Sequence, residues 1–243
     1  MIVPIVHEST AVRLELHANS QDLPWCCTTN SEAYMANPTY PTNVSALILV
    51  DVLNDFLSPE GKINPGIKDQ IEKVNLIENL TRLIAGARAA GIQIVYAPHG
   101  LHERSFDNFK YVPLRMQRAM ENKMFWEGEF GADFYEPFRP QSGDIVIGRH
   151  KTFDAFMGTD MDEQLKKRGI EKVILAGLTS QTCVEGTGRH ATEAGYHLTF
   201  LKDAVAEFTE EAHKAALEIS YPTFGHEVLS VDEFLAAVRK PGE

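Results

Sequence analysis

The chain has 243 residues, of which 44% are hydrophobic and 23% charged, so it is long enough to bury the core of one α/β domain. Its formal net charge of −11 argues against nucleic acid or an anionic membrane surface as a partner. The three cysteines are too few for a disulfide framework, which indicates a reducing, cytoplasmic compartment. No stretch approaches the length of a membrane span, and the first residues lack the pattern of a signal peptide.

Residues 1–44 differ in composition from the rest of the chain. They hold four of the twelve prolines together with polar clusters, and residues 12–16 alternate like a short strand. We predict an extended arm that packs on the core or on a neighbouring subunit, with Trp25 as its anchor. The alternative is a disordered segment, which the aromatic residues disfavour. The predicted organisation is an arm of residues 1–44 and a domain of residues 45–243, assembled as a homo-oligomer.

From residue 46 onward, apolar runs of strand length alternate with segments of helical periodicity. The predicted strands are residues 46–51, 92–96, 144–148, 173–176, 197–201 and 227–229, and the predicted helices are residues 67–90, 114–122, 161–168, 183–194, 210–219 and 232–239. This alternation predicts an α/β fold, a three-layer α-β-α sandwich with a mainly parallel, Rossmann-like sheet. The long segment 98–140 is rich in aromatic residues, which either roof a pocket or pack the segment onto the core.

Reactive side chains follow three of the predicted strands. Asp51 ends the first apolar run, Lys151 follows the third, and Cys183 lies where the fourth strand has ended and a helix begins. Ligands of open α/β sheets bind outside the carboxyl ends of the strands, so these residues are predicted to share one cleft. A helix start offers free N–H groups and a positive dipole end, which favours a thiolate at Cys183. The alternative for this residue is a buried structural cysteine.

Three motifs carry a resemblance to a known family. They are residues 49–56, Leu-Val-Asp-Val-Leu-Asn-Asp-Phe; residues 151–160, Lys-Thr-Phe-Asp-Ala-Phe-Met-Gly-Thr-Asp; and residues 177–184, Gly-Leu-Thr-Ser-Gln-Thr-Cys-Val. In this order and spacing they resemble the aspartate, lysine and nucleophile motifs of the isochorismatase-like cysteine hydrolases. The resemblance covers residues 46–238. It implies the isochorismatase-like hydrolase fold and the hydrolysis of C–N bonds in small amides, ureides or carbamoyl compounds.

The mechanism that we expect is covalent. Cys183 attacks the carbonyl to form a thioester, Asp51 exchanges the protons, and Lys151 favours the charged forms of both. By resemblance, the backbone amides of Thr179 and Cys183 form the oxyanion hole, and the peptide bond Leu178–Thr179 is the one that is often cis in the family.

The predicted partner is a small-molecule substrate. Candidate substrate-binding residues lie in the motifs and in the aromatic segment: Phe56, Trp126, His150 and Phe156. For His150 the alternative is an exposed loop histidine. No cofactor is expected.

Two departures from the family pattern bear on the substrate. Leu53 stands where many relatives have glutamine. His99 and His102 lie three residues apart, but the aspartate of the nicotinamidase metal site is missing, so no metal is expected. Two alternatives to the thioester mechanism stay open: vinyl ether cleavage of the isochorismatase type, which uses Asp51 without a nucleophile, and an inactive scaffold of the same fold.

Overall fold

A six-stranded parallel sheet forms the centre of the protein, whose computed structural model describes residues 38–240. Its spatial order is β4-β3-β2-β5-β6-β7, and each neighbouring pair is parallel. The strands are β2 Ser45–Val50, β3 Gln93–Ala97, β4 Ile145–Val146, β5 Lys172–Leu178, β6 His197–Ala206 and β7 Glu227–Leu229, and a separate parallel pair joins β1 Tyr40–Pro41 to β8 Val238–Arg239. The predicted α/β class with a parallel sheet is confirmed.

Helices cover both faces of this sheet. They are α1 Asn54–Leu57, α2 Asn64–Lys73, α3 Leu76–Ala90, α4 Leu114–Glu121, α5 Met161–Lys167, α6 Glu185–Glu193, α7 Glu210–Ala215, α8 Tyr221–Phe224 and α9 Val231–Ala237. π-helical turns at Ser180–Val184 and Ala216–Ser220 precede α6 and α8. Within residues 38–240, no helix combines the length and apolar character that crossing a bilayer requires.

The central strand β2 shows how the layers are built. All six of its residues are buried, and successive side chains of a strand point to opposite faces. Leu47 and Leu49 pack with the apolar sides of α2, α3 and α9, whereas Ile48 and Val50 pack with α5, α6 and α8. The alternation therefore divides the core between two faces, which makes the predicted three-layer sandwich.

The structure corrects the prediction of one long helix over residues 67–90. The chain forms α2 and α3 instead, because Asn75 between them adopts a left-handed backbone, with φ of 51°. Asparagine tolerates this conformation better than most residues. The Asn79 amide then donates to the carbonyls of Val74 and Asp203, at 3.1 and 2.8 Å, which ties the break to the sheet.

The described part of the predicted arm, from residue 38 onward, packs on the domain. Tyr40, which the sequence prediction places in the arm, is fully buried, and its hydroxyl contacts Thr199 Oγ1 at 2.8 Å. The two-residue strand that contains it pairs with β8 at the other end of the chain. The predicted strand at residues 12–16 and the Trp25 anchor lie outside the described residues.

Candidate active site

Three buried residues meet at the carboxyl edge of the sheet. Asp51 directly follows β2, His99 lies two residues beyond β3, and Cys183 lies five residues beyond β5. Their exposed fractions are 0%, 1% and 6%. The convergence of Asp51 and Cys183 on this edge agrees with the sequence prediction.

Asp51 is held in an uncommon backbone conformation. Its φ is 53°, in the left-handed region that non-glycine residues seldom enter. Its Oδ1 accepts hydrogen bonds from the His99 backbone N–H at 2.7 Å and from His150 Nε2 at 3.0 Å. Its Oδ2 is buried and has no hydrogen-bond partner among the described residues. One carboxylate oxygen is thus fixed, and the other is available for chemistry.

His150, and not Lys151, reaches Asp51. The pairing of β3 with β4 continues past the strands, since the His150 N–H donates to the Pro98 carbonyl at 3.1 Å and His99 bridges to His150. In this extended register neighbouring side chains point in opposite directions. The His150 ring therefore turns inward to Asp51, while Lys151 is exposed and its Nζ donates to the Ser105 carbonyl at 3.1 Å. The expected trio is not brought together, because Lys151 lies one position out of register.

The thiol of Cys183 is positioned by a bend in β5. Gly177 has φ of 115°, and a side chain there would collide with the Val50 carbonyl, so only glycine lets the strand bend this close to β2. The peptide bond Leu178–Thr179 is cis, and the chain then enters the π-helical turn that contains Cys183. Sγ lies 3.9 Å from both Thr182 Oγ1 and the Thr152 carbonyl.

The charges of the site follow from burial and from the Asp51–His150 contact. Burial alone raises the pKa of Asp51, but the neighbouring His150 outweighs it and holds this pKa below the ordinary value. Burial disfavours the His150 cation, yet Asp51 outweighs burial and raises the pKa of His150. Each partner thus favours the charged form of the other.

Cys183 rests as a thiol. Burial, and then the charge of Asp51, raise its pKa well above the ordinary value. The sequence predicts a lowered pKa for Cys183, because a helix start favours the thiolate. The pKa is raised instead, because the dipole of a helix end has a weaker effect than burial beside an anion.

Three backbone N–H groups of the turn around Cys183 are hydrogen-bonded within the protein. The N–H groups of Gln181, Thr182 and Val184 donate to protein oxygens, namely Glu207 Oε2 and the Thr179 carbonyl. The predicted donors, the N–H groups of Thr179 and Cys183, are not among these three. Both residues line the cavity described next, which is the position that an oxyanion hole requires.

A cavity of about 380 Å³ opens above Cys183, which is large enough for a small molecule. Most of its wall is aromatic or aliphatic, and positively charged side chains lie among its lining residues. The lining residues are Phe56, Lys62, Ile63, Gly66, His99, Arg115, Met116, Arg118, Ala119, Met124, Phe125, Phe153, Thr179, Thr182, Cys183 and Phe208.

One wall of this cavity comes from the long segment between β3 and β4, which a buried carboxylate anchors. Asp55 Oδ1 accepts from the Lys62 backbone N–H at 3.0 Å, and Oδ2 accepts from the Phe125 backbone N–H at 2.5 Å. Gly131 packs against the same carboxylate so closely that a side chain there would collide with it. The position of the Phe125 wall therefore depends on Asp55.

The structure separates the remaining predicted substrate-binding residues. Phe56 lines the cavity. The structure places Trp126 and Phe156 elsewhere: Trp126 packs beneath the Lys123 ammonium, and Phe156 stacks on His190 at 4.7 Å. His102 is exposed and its Nδ1 accepts from the Arg104 N–H at 3.2 Å.

No group of three metal-binding side chains occurs within residues 38–240.

The comparisons with known proteins agree with this geometry. The isochorismatase domain model matches residues 45–233. The chain belongs to the isochorismatase family. It is 30% identical over 207 residues to the ureidoacrylate amidohydrolase RutB of Yersinia enterocolitica, covering 80% of this chain and 89% of the relative. The predicted recognition of the family and the predicted enzyme class, a hydrolase, are confirmed.

Solved structures show the same fold. A cysteine hydrolase from Pseudomonas syringae pv. phaseolicola matches with a TM-score of 0.68 at 24% identity, covering 84% of this chain and 98% of that one. N-carbamoylsarcosine amidase from Thermoplasma acidophilum matches with a TM-score of 0.58 at 22% identity, covering 77% and 96%. The predicted isochorismatase-like hydrolase fold is confirmed.

Proposed function

We propose that this hydrolase cleaves a C–N bond of a small amide, ureide or carbamoyl compound through a thioester on Cys183. The observation that carries the proposal is that Asp51, whose Oδ2 has no hydrogen-bond partner among the described residues, acts directly on the Cys183 thiol, and that Cys183 lines a cavity. A carboxylate held ionised next to a protonated thiol is the arrangement that general-base activation of a nucleophile requires.

In the first half of the reaction, Asp51 takes the thiol proton and Sγ attacks the carbonyl carbon. The oxyanion formed is held by the backbone N–H groups of Thr179 and Cys183. The tetrahedral intermediate collapses, the C–N bond breaks, and the leaving nitrogen takes the proton from Asp51. The products of this half are an amine and an acyl or carbamoyl thioester.

In the second half, Asp51 takes a proton from water and the hydroxyl attacks the thioester carbonyl. Collapse of this intermediate breaks the C–S bond and releases the acid, and Sγ recovers the proton from Asp51. The enzyme returns to its resting charges with one water consumed.

We assign to His150 the role that the family resemblance assigned to Lys151. Its ring is the cation in contact with Asp51, at 3.0 Å. An adjacent positive charge keeps the carboxylate ionised despite complete burial. Lys151, which is exposed and bonded to Ser105, has no part in the proposed proton transfers.

The ionisation of Asp51 favours thioester chemistry over vinyl ether cleavage. The second reaction needs Asp51 as a proton donor, and the lowered pKa of Asp51 makes it a poor acid in the resting site. The name of the Yersinia relative, an amidohydrolase of ureidoacrylate, supports a ureide among the substrates.

A turnover screen with intact-mass detection tests the proposal. Wild-type protein is mixed with amides, ureides, carbamoyl compounds and isochorismate, and the intact mass of the protein is measured in quenched samples. We expect turnover of at least one C–N substrate, with an acyl adduct on Cys183. Cys183→Ala should abolish both turnover and adduct. Turnover of isochorismate alone, retained in Cys183→Ala and lost in Asp51→Asn, would replace the proposal with the vinyl ether mechanism.

A further inference from the structure

His99 is a buried polar side chain without a polar partner. It is 1% exposed, and neither Nδ1 nor Nε2 has a hydrogen-bond partner among the described residues. Leaving a buried polar group unpaired costs free energy, so such a group needs an explanation. His99 also lines the cavity that contains Cys183. An unpaired ring at a cavity wall is arranged for a partner that arrives with the ligand.

Packing holds this ring in place. Phe125 stacks on it with ring centroids 4.7 Å apart and an angle of 26°, and His150 packs on it at 4.9 Å. Burial, followed by the His150 charge, lowers the pKa of His99 to about 3. The ring is therefore neutral at ordinary pH and offers one N–H donor and one nitrogen acceptor. It suits a neutral polar group better than a charged one.

The backbone of His99 places the ring beside the proton-transfer group. Its N–H donates to Asp51 Oδ1 at 2.7 Å, and Asp51 is the residue that protonates the leaving nitrogen in the proposed reaction. The predicted oxyanion donors, Thr179 and Cys183, belong to the turn after β5, whereas His99 follows β3. In the proposed reaction the leaving nitrogen must approach Asp51, the residue to which the His99 backbone is bonded.

We propose that the His99 ring accepts a hydrogen bond from the N–H of the scissile amide, which makes it a specificity-determining residue for neutral amide and ureide heads. The inference rests on the proposed function for the identity of the scissile group. A head without N–H, such as an ester, gains nothing from His99. Phenylalanine would fill the same space, stack on Phe125 equally well and lack the acceptor.

Matched amide and ester substrates test the assignment. The probes are phenylacetamide and phenylurea, which carry N–H groups, and methyl phenylacetate, which does not. For His99→Phe we expect kcat/KM on the amide probes to fall about 5- to 100-fold, the size of one lost buried hydrogen bond, and ester hydrolysis to stay within about twofold. His99→Gln, which keeps an acceptor, should recover part of the loss. His102→Phe, at the exposed histidine, is the matched control.

Binding measurements on inactive variants test the role of His99 independently of the proposed hydrolysis. Calorimetry of phenylurea with Cys183→Ala, compared with the double variant Cys183→Ala/His99→Phe, reads the hydrogen bond without turnover. Weaker binding in the double variant supports the role of His99 even when the wild type hydrolyses no amide, an outcome that would reject only the thioester proposal. Equal losses on amide and ester, equal binding in the two variants, or binding of phenylurea by neither would overturn the inference.

Discussion

Two pairs of packed histidines lie at opposite edges of the same sheet. His99 and His150 pack at the carboxyl edge, with ring centroids 4.9 Å apart. His197 and His226 stack at 4.6 Å beside the amino ends of β6 and β7. In each pair one ring is held neutral, since burial lowers the pKa of His99 to about 3 and of His197 to about 4. Close packing of two rings and a lowered pKa in one of them thus do not distinguish the two pairs.

The neighbours of the two pairs differ. His150 contacts the Asp51 carboxylate, which raises its pKa, whereas after burial the next cause acting on His197 is the Lys172 cation, which lowers its pKa further. His226 is occupied structurally, because its Nδ1 accepts from the Leu198 N–H at 3.1 Å. Only the first pair adjoins the cavity described above. A histidine pair becomes a candidate for chemistry through its charged neighbour and its access to a ligand.

The largest effect is expected from substituting His150, whose side chain contacts Asp51. The matched comparison is Lys151, whose side chain is exposed. His150→Asn should lower kcat/KM about 100-fold or more, because without the adjacent cation the buried Asp51 carboxyl is protonated more readily and no longer acts as the general base. Lys151→Ala should stay within about twofold, since this side chain is exposed and surface contacts contribute little. Steady-state kinetics and a thermal melt of each variant check this.

His150→Lys serves as the second variant of this test, because it restores a cation at the inner position and so keeps the site folded. A severe loss in Lys151→Ala together with an active His150→Asn would reverse the assignment.

The pH profile of kcat/KM should report the same cation. His150 is charged below its raised pKa and loses its charge as pH rises through that value. The alkaline limb should therefore lie above the ordinary histidine value of about 6.5. The charged and titratable groups that face His150 are Asp51, His99 and Asp154.

Substitution separates the two possible cations. His150→Lys should move the alkaline limb upward, and Lys151→Ala should leave it in place. An alkaline limb that follows Lys151 and ignores His150 would contradict the inner-cation assignment.

The smallest effect is expected from substituting His197, at the amino end of β6. The folded-state pKa of His197, about 4, is below the unfolded value of about 6.5, so the unfolded chain takes up a proton first. The contribution of His197 to stability is present above pH of about 6.5 and is lost as pH falls towards the folded value. His197→Phe should remove this loss and leave kcat/KM unchanged.

Urea denaturation at pH 7 and pH 5 measures this loss of stability, with His102→Phe as the control at an exposed histidine. A fall in activity in His197→Phe would show that the two edges are not independent.

The elements that the sequence predicts best are those with a strong period. The buried strands β2 and β5 read as apolar runs, and the ends of these runs located Asp51 and Cys183. The break at Asn75 was missed because the helical period continues across it, and only the left-handed backbone of one residue interrupts it.

The site is less predictable because a register difference of one residue decides which side chain contacts Asp51. Sequence shows His150 and Lys151 side by side, but which of them faces Asp51 depends on the pairing of β4 with β3, a contact between distant parts of the chain. The family resemblance also assigns the cation beside Asp51 to a lysine. Similarly, the burial of His99 without a hydrogen-bond partner among the described residues is not revealed by its spacing of three from His102.

The clamp formed by Asp55 and Gly131 makes the molecule modular for evolution and engineering. The proton-transfer groups are fixed by strand ends, whereas the Phe125 wall arrives on a separate segment whose position depends on that clamp. A graft that keeps Asp55, Gly131 and the donating backbone N–H of residue 125 can therefore replace α4, which lines the cavity, with the corresponding helix of a relative. Such chimaeras would inherit a new substrate range while keeping an unaltered reaction.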